Sequence, residues 1–150
     1  MPIINSLETP ATTALQRLGA HFQIFQHNNK IRSLAQAAQE RGQSPDQIVR
    51  SILFRVNQGS FLMVLMPGEK QISWRALRTY LGVRRLTTAS PEEVQQITGY
   101  EIGAVSPFGL PGPLRILADP AIFTHTVIFL GSGQKECALI LESKLIKEMI

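Results

Sequence analysis

"SILFRVNQGSFLMVLM", Ser51 to Met66, is two apolar runs separated by Asn57-Gln58-Gly59. Runs rich in β-branched and aromatic residues suit a pleated surface, and a short glycine-containing break between two of them predicts a hairpin. The second run, Phe61 to Met66, is apolar throughout, so the hairpin belongs in the core of a sheet. It is also the longest obvious apolar run and is far too short to span a bilayer.

Upstream of the hairpin, Thr9-Pro10 supplies a cap and a first-turn proline for a helix running to Leu18, closed by Gly19. "HFQIF", His21 to Phe25, alternates like a half-buried strand. A second helix is expected over Ser33 to Arg41, with Leu34, Ala37 and Ala38 on one face and Gly42 ending it. Ser44-Pro45-Asp46-Gln47 has the capping-box pattern of a short helical turn leading into Val49-Arg50.

Downstream, Pro67-Gly68 breaks the hairpin. A helix with Trp74, Leu77 and Leu81 inward follows, stopped by Gly82, then a short strand around Val83 to Leu86. Ser90-Pro91-Glu92-Glu93 is a second capping box, with Gly99 as the stop. "LRILA", "THTVIFL" and "ECALIL" predict three more strands, and "SKLIKEMI" a closing helix. Several strands are joined by short turns. The expected fold class is therefore α+β: a mixed, largely antiparallel sheet, curled or forming a partial barrel, with helices packed outside. The 150 residues contain no linker, repeat or low-complexity segment and are expected to form a single domain over residues 1–150.

The hydrophobic share of 44% with mixed charges is that of a folded chain and excludes a disordered one. The net charge of +4 suits a phosphate-bearing partner without resembling a polybasic tail. No export signal is recognisable in "MPIINSLETP", and the single cysteine, Cys137, excludes an internal disulfide, so a cytoplasmic location is expected and no membrane partner. Phosphate-loop, dinucleotide-binding, zinc-protease and nucleophile-elbow motifs are absent. His21, His27 and His125 have no metal-ligand spacing to one another or to Cys137, so neither a metal nor a cofactor is expected. Cys137 in "ECALIL" reads as a small core residue, and His27 as a structural one at a strand end.

What remains is "TGYEIGAVSPFGLPG", Thr98 to Gly112. Its glycines allow close approach of a ligand to the main chain, and Pro107 and Pro111 stiffen it. A rigid ribbon of main-chain N–H donors can polarise a carbonyl or hold a developing oxyanion without a charged side chain.

The residues in order resemble the aminoacyl-tRNA editing domains of the YbaK and ProX type, associated with prolyl-tRNA synthetase. "SPDQIVRSILFRV" resembles that family's helix-to-strand segment. "SPEEVQQITGYEIGAVSPFG" resembles its signature, with the G-x-x-x-P element at Gly103 to Pro107. Asp119 matches an aspartate that follows a strand, and Ser132-Gly133 a glycine pair in the last loop. The resemblance implies an enzyme that hydrolyses the ester joining a wrong amino acid to the terminal ribose of a tRNA. It implies a cradle formed by Gly103, Ala104, Val105, Ser106 and Pro107, with Asp119 orienting the pocket. Gly99, Tyr100, Phe108, Gly109, Ser132 and Gly133 would complete the substrate-binding surface.

Arg50 stands where that family usually has lysine. Arginine keeps the positive charge but cannot serve as a neutral base near physiological pH. Two expectations follow: a deacylase with Arg50 as a catalytic residue, or a binding protein weakened in turnover. For the tRNA body, Arg75 and Arg78 lie one helical turn apart beside Trp74, with Arg84-Arg85 soon after, and could meet phosphates. The implied partners are the tRNA acceptor end and prolyl-tRNA synthetase, with the protein acting as a monomer or a dimer.

Overall fold

A computed structural model describes residues 3–28, 30–31 and 33–150. The hairpin is β3 (Val49–Val56) and β4 (Ser60–Pro67), paired antiparallel without interruption from Val49↔Pro67 to Val56↔Ser60. β4 lies inside a sheet of four strands. Its neighbours are β3 on one side and, in parallel, β6 (Arg115–Ala118) on the other, while β5 (Leu86–Thr88) edges β3. The apolar run of β4 is covered on both faces. Met63 and Leu65 enter the main core, whereas Leu62, Val64 and Met66 join Phe54 and Val56 of β3 beneath the helix α3 (Trp74–Leu81). Alternate residues of a strand point to opposite faces, so an unbroken hydrophobic run is what such a position demands.

A second four-stranded sheet contains β1 (Ile3–Ile4), β2 (Gln23–Gln26), β8 (Cys137–Glu142) and β7 (Val127–Gly131), in that order and antiparallel throughout. Ile24, Ile128, Leu130, Leu139 and Leu141 turn toward Met63 and Leu65 to make the main core between the sheets. On the outer face of this sheet, Phe129 and Ala138 receive Ala37 and Ala38 of α2 (Leu34–Arg41). The α+β class expected from the sequence holds, with the strands divided between two sheets and no closed barrel among the described residues.

The caps behave as their sequences require. Thr9 with Thr12 closes a capping box at α1 (Pro10–Arg17), and Ser90 with Glu93 closes another at α4 (Pro91–Thr98). Ser44 and Gln47 cap a single 3-10 turn. Gly42, Gly82 and Gly99 follow α2, α3 and α4 in left-handed conformations. The closing helix is α5 (Lys144–Met149). Trp74 packs edge-on against Phe54, with ring centroids 5.2 Å apart, yet remains 39% exposed. The strand expected over Val83 to Leu86 begins only at Leu86. The Val83 amide instead closes α3 through the Arg78 carbonyl, and register with β3 starts at Leu86↔Val56.

Candidate functional site

β3 is paired to β4 along its whole length, but on its other side it meets β7 only at the Ile48↔Phe129 bridge and β5 only from Phe54 onward, with Ala89 N on the Leu53 carbonyl, which leaves the edge around Ser51 open. A cavity of about 650 Å³ lies against that edge. Its walls include Ser51 and Leu53 of β3, Gly103 and Val105 of the long loop, Gly131 at the end of β7, and Arg41 of α2. The Ile48 carbonyl accepts from Gly68 N on the β4 side, while the Leu53 carbonyl accepts from Ala89 N on the other. Strand alternation then turns the main-chain N–H and C=O of Ser51 away from β4, toward the open edge.

The loop is wired from within. Ala104 N donates to the Glu101 carbonyl at 3.0 Å, and the Ala104 carbonyl accepts from Gly133 N at 2.9 Å. The Tyr100 hydroxyl donates to the Phe108 carbonyl at 2.6 Å, and Phe108 N donates to Ser106 Oγ at 3.2 Å. Burial pushes the Tyr100 phenol up to about 12, so it stays a donor throughout the physiological range. Gly103 sits at φ 94°, a backbone angle that other residues rarely adopt. Gly131 is required for a different reason: a Cβ there would lie 1.8 Å from the Val105 carbonyl oxygen. These contacts leave Gly103 and Val105 on the cavity wall. Among the described residues their amides donate to no backbone or side-chain acceptor.

Arg50 also borders the cavity, but its guanidinium is engaged elsewhere. Nε donates to the Gly68 carbonyl at 2.6 Å and a terminal nitrogen donates to the Lys70 carbonyl. Lys70 in turn pairs with Asp119, Nζ to Oδ2 at 2.9 Å, and the other Asp119 oxygen caps a 3-10 turn by accepting from Ala121 N at 2.8 Å. Partial burial pushes the Asp119 carboxyl up, but Lys70 and the Ala121 amide outweigh it and hold the group below its ordinary value. Asp119 therefore joins Arg50 through Lys70 and does not itself border the cavity.

Of the residues singled out in the sequence, the structure brings Arg50, Gly103 and Val105 to this cavity. Ala104, Ser106, Pro107, Tyr100 and Phe108 are buried behind them, and Gly99 and Gly109 are turn positions outside the wall. Ser132 is buried with its hydroxyl donating to the Cys137 carbonyl at 2.8 Å, and Gly133 braces Ala104. Arg75, Arg84 and Arg85 are exposed and Arg78 half-buried, on or beyond α3, and none of the four borders the cavity. Cys137 is a buried member of the main core that touches the cavity, with its thiol pushed up by burial and by Glu136 against a weaker opposing contact from Gln134. A thiol held protonated is a poor nucleophile. Sequence reasoning passed over Arg41, Ser51 and Gly131. Arg41 carries a signal in hindsight, because it falls one turn beyond Ala37 and Ala38 on the buried face of α2, where an apolar residue is expected.

Residues 28–148 match the model of the aminoacyl-tRNA editing domain, and the chain belongs to that family. It is 33% identical over 110 residues to a proline–tRNA ligase of Thermosipho melanesiensis, a match covering 73% of this chain and 19% of the ligase. The chain thus spans about a fifth of the length of such ligases. It is 27% identical to the Bacillus subtilis protein YwhH, covering 90% of each. Among solved structures, one described as a "putative trans-editing enzyme for prolyl tRNA synthetase" superposes with a TM-score of 0.84 at 27% identity, covering 94% of this chain and 91% of that one. Among the described residues no helix is long and apolar enough to cross a membrane.

Proposed function

We propose that the protein is a trans-acting aminoacyl-tRNA deacylase, a cytoplasmic hydrolase that removes a wrong amino acid from the acceptor end of a tRNA beside prolyl-tRNA synthetase. The observation that carries this reading is that Gly103 and Val105, whose amides have no acceptor among the described residues, both line a cavity of about 650 Å³. Water adds to the ester carbonyl, and the amides meet the charge that develops on its oxygen. Collapse then breaks the acyl–oxygen bond and releases the amino acid and the ribose hydroxyl. Fixed donors of this kind act without reorganising, and removing one typically costs 100- to 1000-fold in rate. The remaining cradle residues, Ala104, Ser106 and Pro107, hold these two in place. Family membership supports the same substrate class.

The test is a panel of mischarged tRNAs incubated with the protein beside an active deacylase. Release of free amino acid from at least one tRNA is expected, and intact esters across the panel overturn the reading.

A second reading, an aminoacyl-tRNA binding protein without turnover, is favoured by the engagement of Arg50 with two carbonyls. It requires a non-hydrolysable aminoacyl-adenosine analogue to bind wild type without ester hydrolysis, and Arg50→Lys to gain activity. Wild-type turnover that falls on Arg50→Lys removes it.

A further inference from the structure

Among the described residues, two buried side-chain polar atoms have no hydrogen-bond partner, Arg41 NH1 and Ser51 Oγ, and both residues border the same cavity. Buried polar groups in folded proteins are almost always satisfied, so two exceptions at one cavity point to groups that a ligand is meant to complete.

The setting of Arg41 defines the chemistry. Its Nε donates to His27 Nε2 at 2.9 Å, which makes that nitrogen an acceptor and places the ring proton on Nδ1, facing Glu40 Oε1 at 3.0 Å. The guanidinium lies across the rings of Phe129 and Phe25, 5.1 and 5.8 Å from their centroids. Rings, histidine and carboxylate therefore hold the fork in one orientation. Glu40 is turned to His27, and among the described residues no carboxylate lies within ion-pair distance of Arg41. Burial, partly offset by Glu40, lowers the guanidinium to about 10, so it remains a cation at neutral pH. Lys135, also on the cavity wall, is matched by Glu101 at 3.3 Å. Arg41 is thus an oriented, half-buried cation with a buried, unpartnered NH1, and Glu40 reaches it only through His27. Such a charge is costly to bury, and a planar fork suits a carboxylate or a phosphate in two-point contact.

We propose that Arg41, with Ser51 as a neighbouring donor, makes the α2 end of the cavity an oxyanion-binding subsite that determines which ligands the cavity accepts. This rests on the cavity being the site of the aminoacyl-adenosine end. The oxyanion has two sources, a phosphate of the acceptor strand or a carboxylate on the side chain of the acyl group.

The experiment compares three non-hydrolysable 3′-amide analogues by calorimetry: alanyl-adenosine, alanyl-adenosine 5′-phosphate, and glutamyl-adenosine. One anionic analogue is expected to bind wild type at least about tenfold more tightly than alanyl-adenosine, the range of a charge-assisted hydrogen bond. That advantage should vanish in Arg41→Met, shrink in Ser51→Ala and partly survive in Arg41→Lys. An advantage confined to the 5′-phosphate names the acceptor strand as the source, and one confined to the glutamyl compound names the acyl group. If alanyl-adenosine binds and neither anion improves on it, or if Arg41→Met keeps the advantage, the subsite is overturned while the cavity reading stands. If none of the three binds, the cavity reading fails. A second arm then decides the subsite in unmodified wild type: inorganic phosphate or glutarate must shift the Arg41 side-chain N–H resonances, and resonances that stay fixed under both anions overturn it. Thermal unfolding of each variant separates lost binding from lost fold.

Discussion

The two ends of the cavity are built by opposite means. At the loop end, Gly103 and Val105 line the wall, and their positions follow from close main-chain contacts: the steric fit of Gly131 against the Val105 carbonyl and the hydrogen bond from Gly133 N to the Ala104 carbonyl. At the α2 end, a charged side chain is held by two rings and a histidine. Close-packed contacts tolerate displacements of only tenths of an ångström before they fail. Contacts among charges soften gradually and respond to ions and pH. The loop end should therefore break sharply when altered, and interactions based on charge should yield by degrees.

Gly131→Ala gives the largest expected effect. Its methyl group meets the Val105 carbonyl oxygen at 1.8 Å, so the loop must move. A loss of about 3 kcal/mol in urea unfolding is expected from such overpacking. A fall of about 100-fold in deacylation is expected from misplaced amides. An alanine variant with unchanged stability and turnover would show that this contact does not position the loop.

Tyr100→Phe is next. It removes a buried hydroxyl from the Phe108 carbonyl and leaves that carbonyl without its donor, at a cost of about 2 kcal/mol. Because the break lies behind the wall, the binding of alanyl-adenosine should weaken less than stability does. Equal binding losses in Gly131→Ala and Tyr100→Phe would contradict the division between wall and brace.

Asp119→Asn should have the smallest effect, and it depends on pH. The folded-state carboxyl lies below its ordinary 3.8, so its charge contributes stability at pH above that value and loses it as pH falls through the folded value. The difference between wild type and the variant should be full at neutral pH, about 1 kcal/mol or less because Lys70 is largely exposed, and should fade in acid. Thermal unfolding across pH checks this. A difference that grows on acidification would reverse the assigned direction.

Much of the fold was legible because its determinants are local. The Asn57-Gln58-Gly59 break, the unbroken apolar run of β4, and the boxes at Ser44 and Ser90 each act within a few residues and formed as expected. β5 starts at Leu86 and not at Val83 because α3 takes up the Val83 amide, a competition that strand propensity does not register. The Thr98 to Gly112 loop stands out through its glycines and prolines, and Ile102, Gly103 and Val105 reach the cavity. Arg50 is legible in the sequence as a charge, yet nothing near it announces that the carbonyls of Gly68 and Lys70 take its guanidinium.

The amino-acid order by itself determined the elements, their caps, the α+β class and the likeness to editing domains, since these depend on propensity, periodicity and short spacings. Tertiary structure alone decided that the strands divide into two sheets, that β6 joins β4 in parallel, and that the edge of β3 is left open over a cavity. It also brought Arg41 and Ser51 to that cavity with unmet hydrogen bonds. The reason is physical: which groups are left unsatisfied depends on what packs against them from distant parts of the chain.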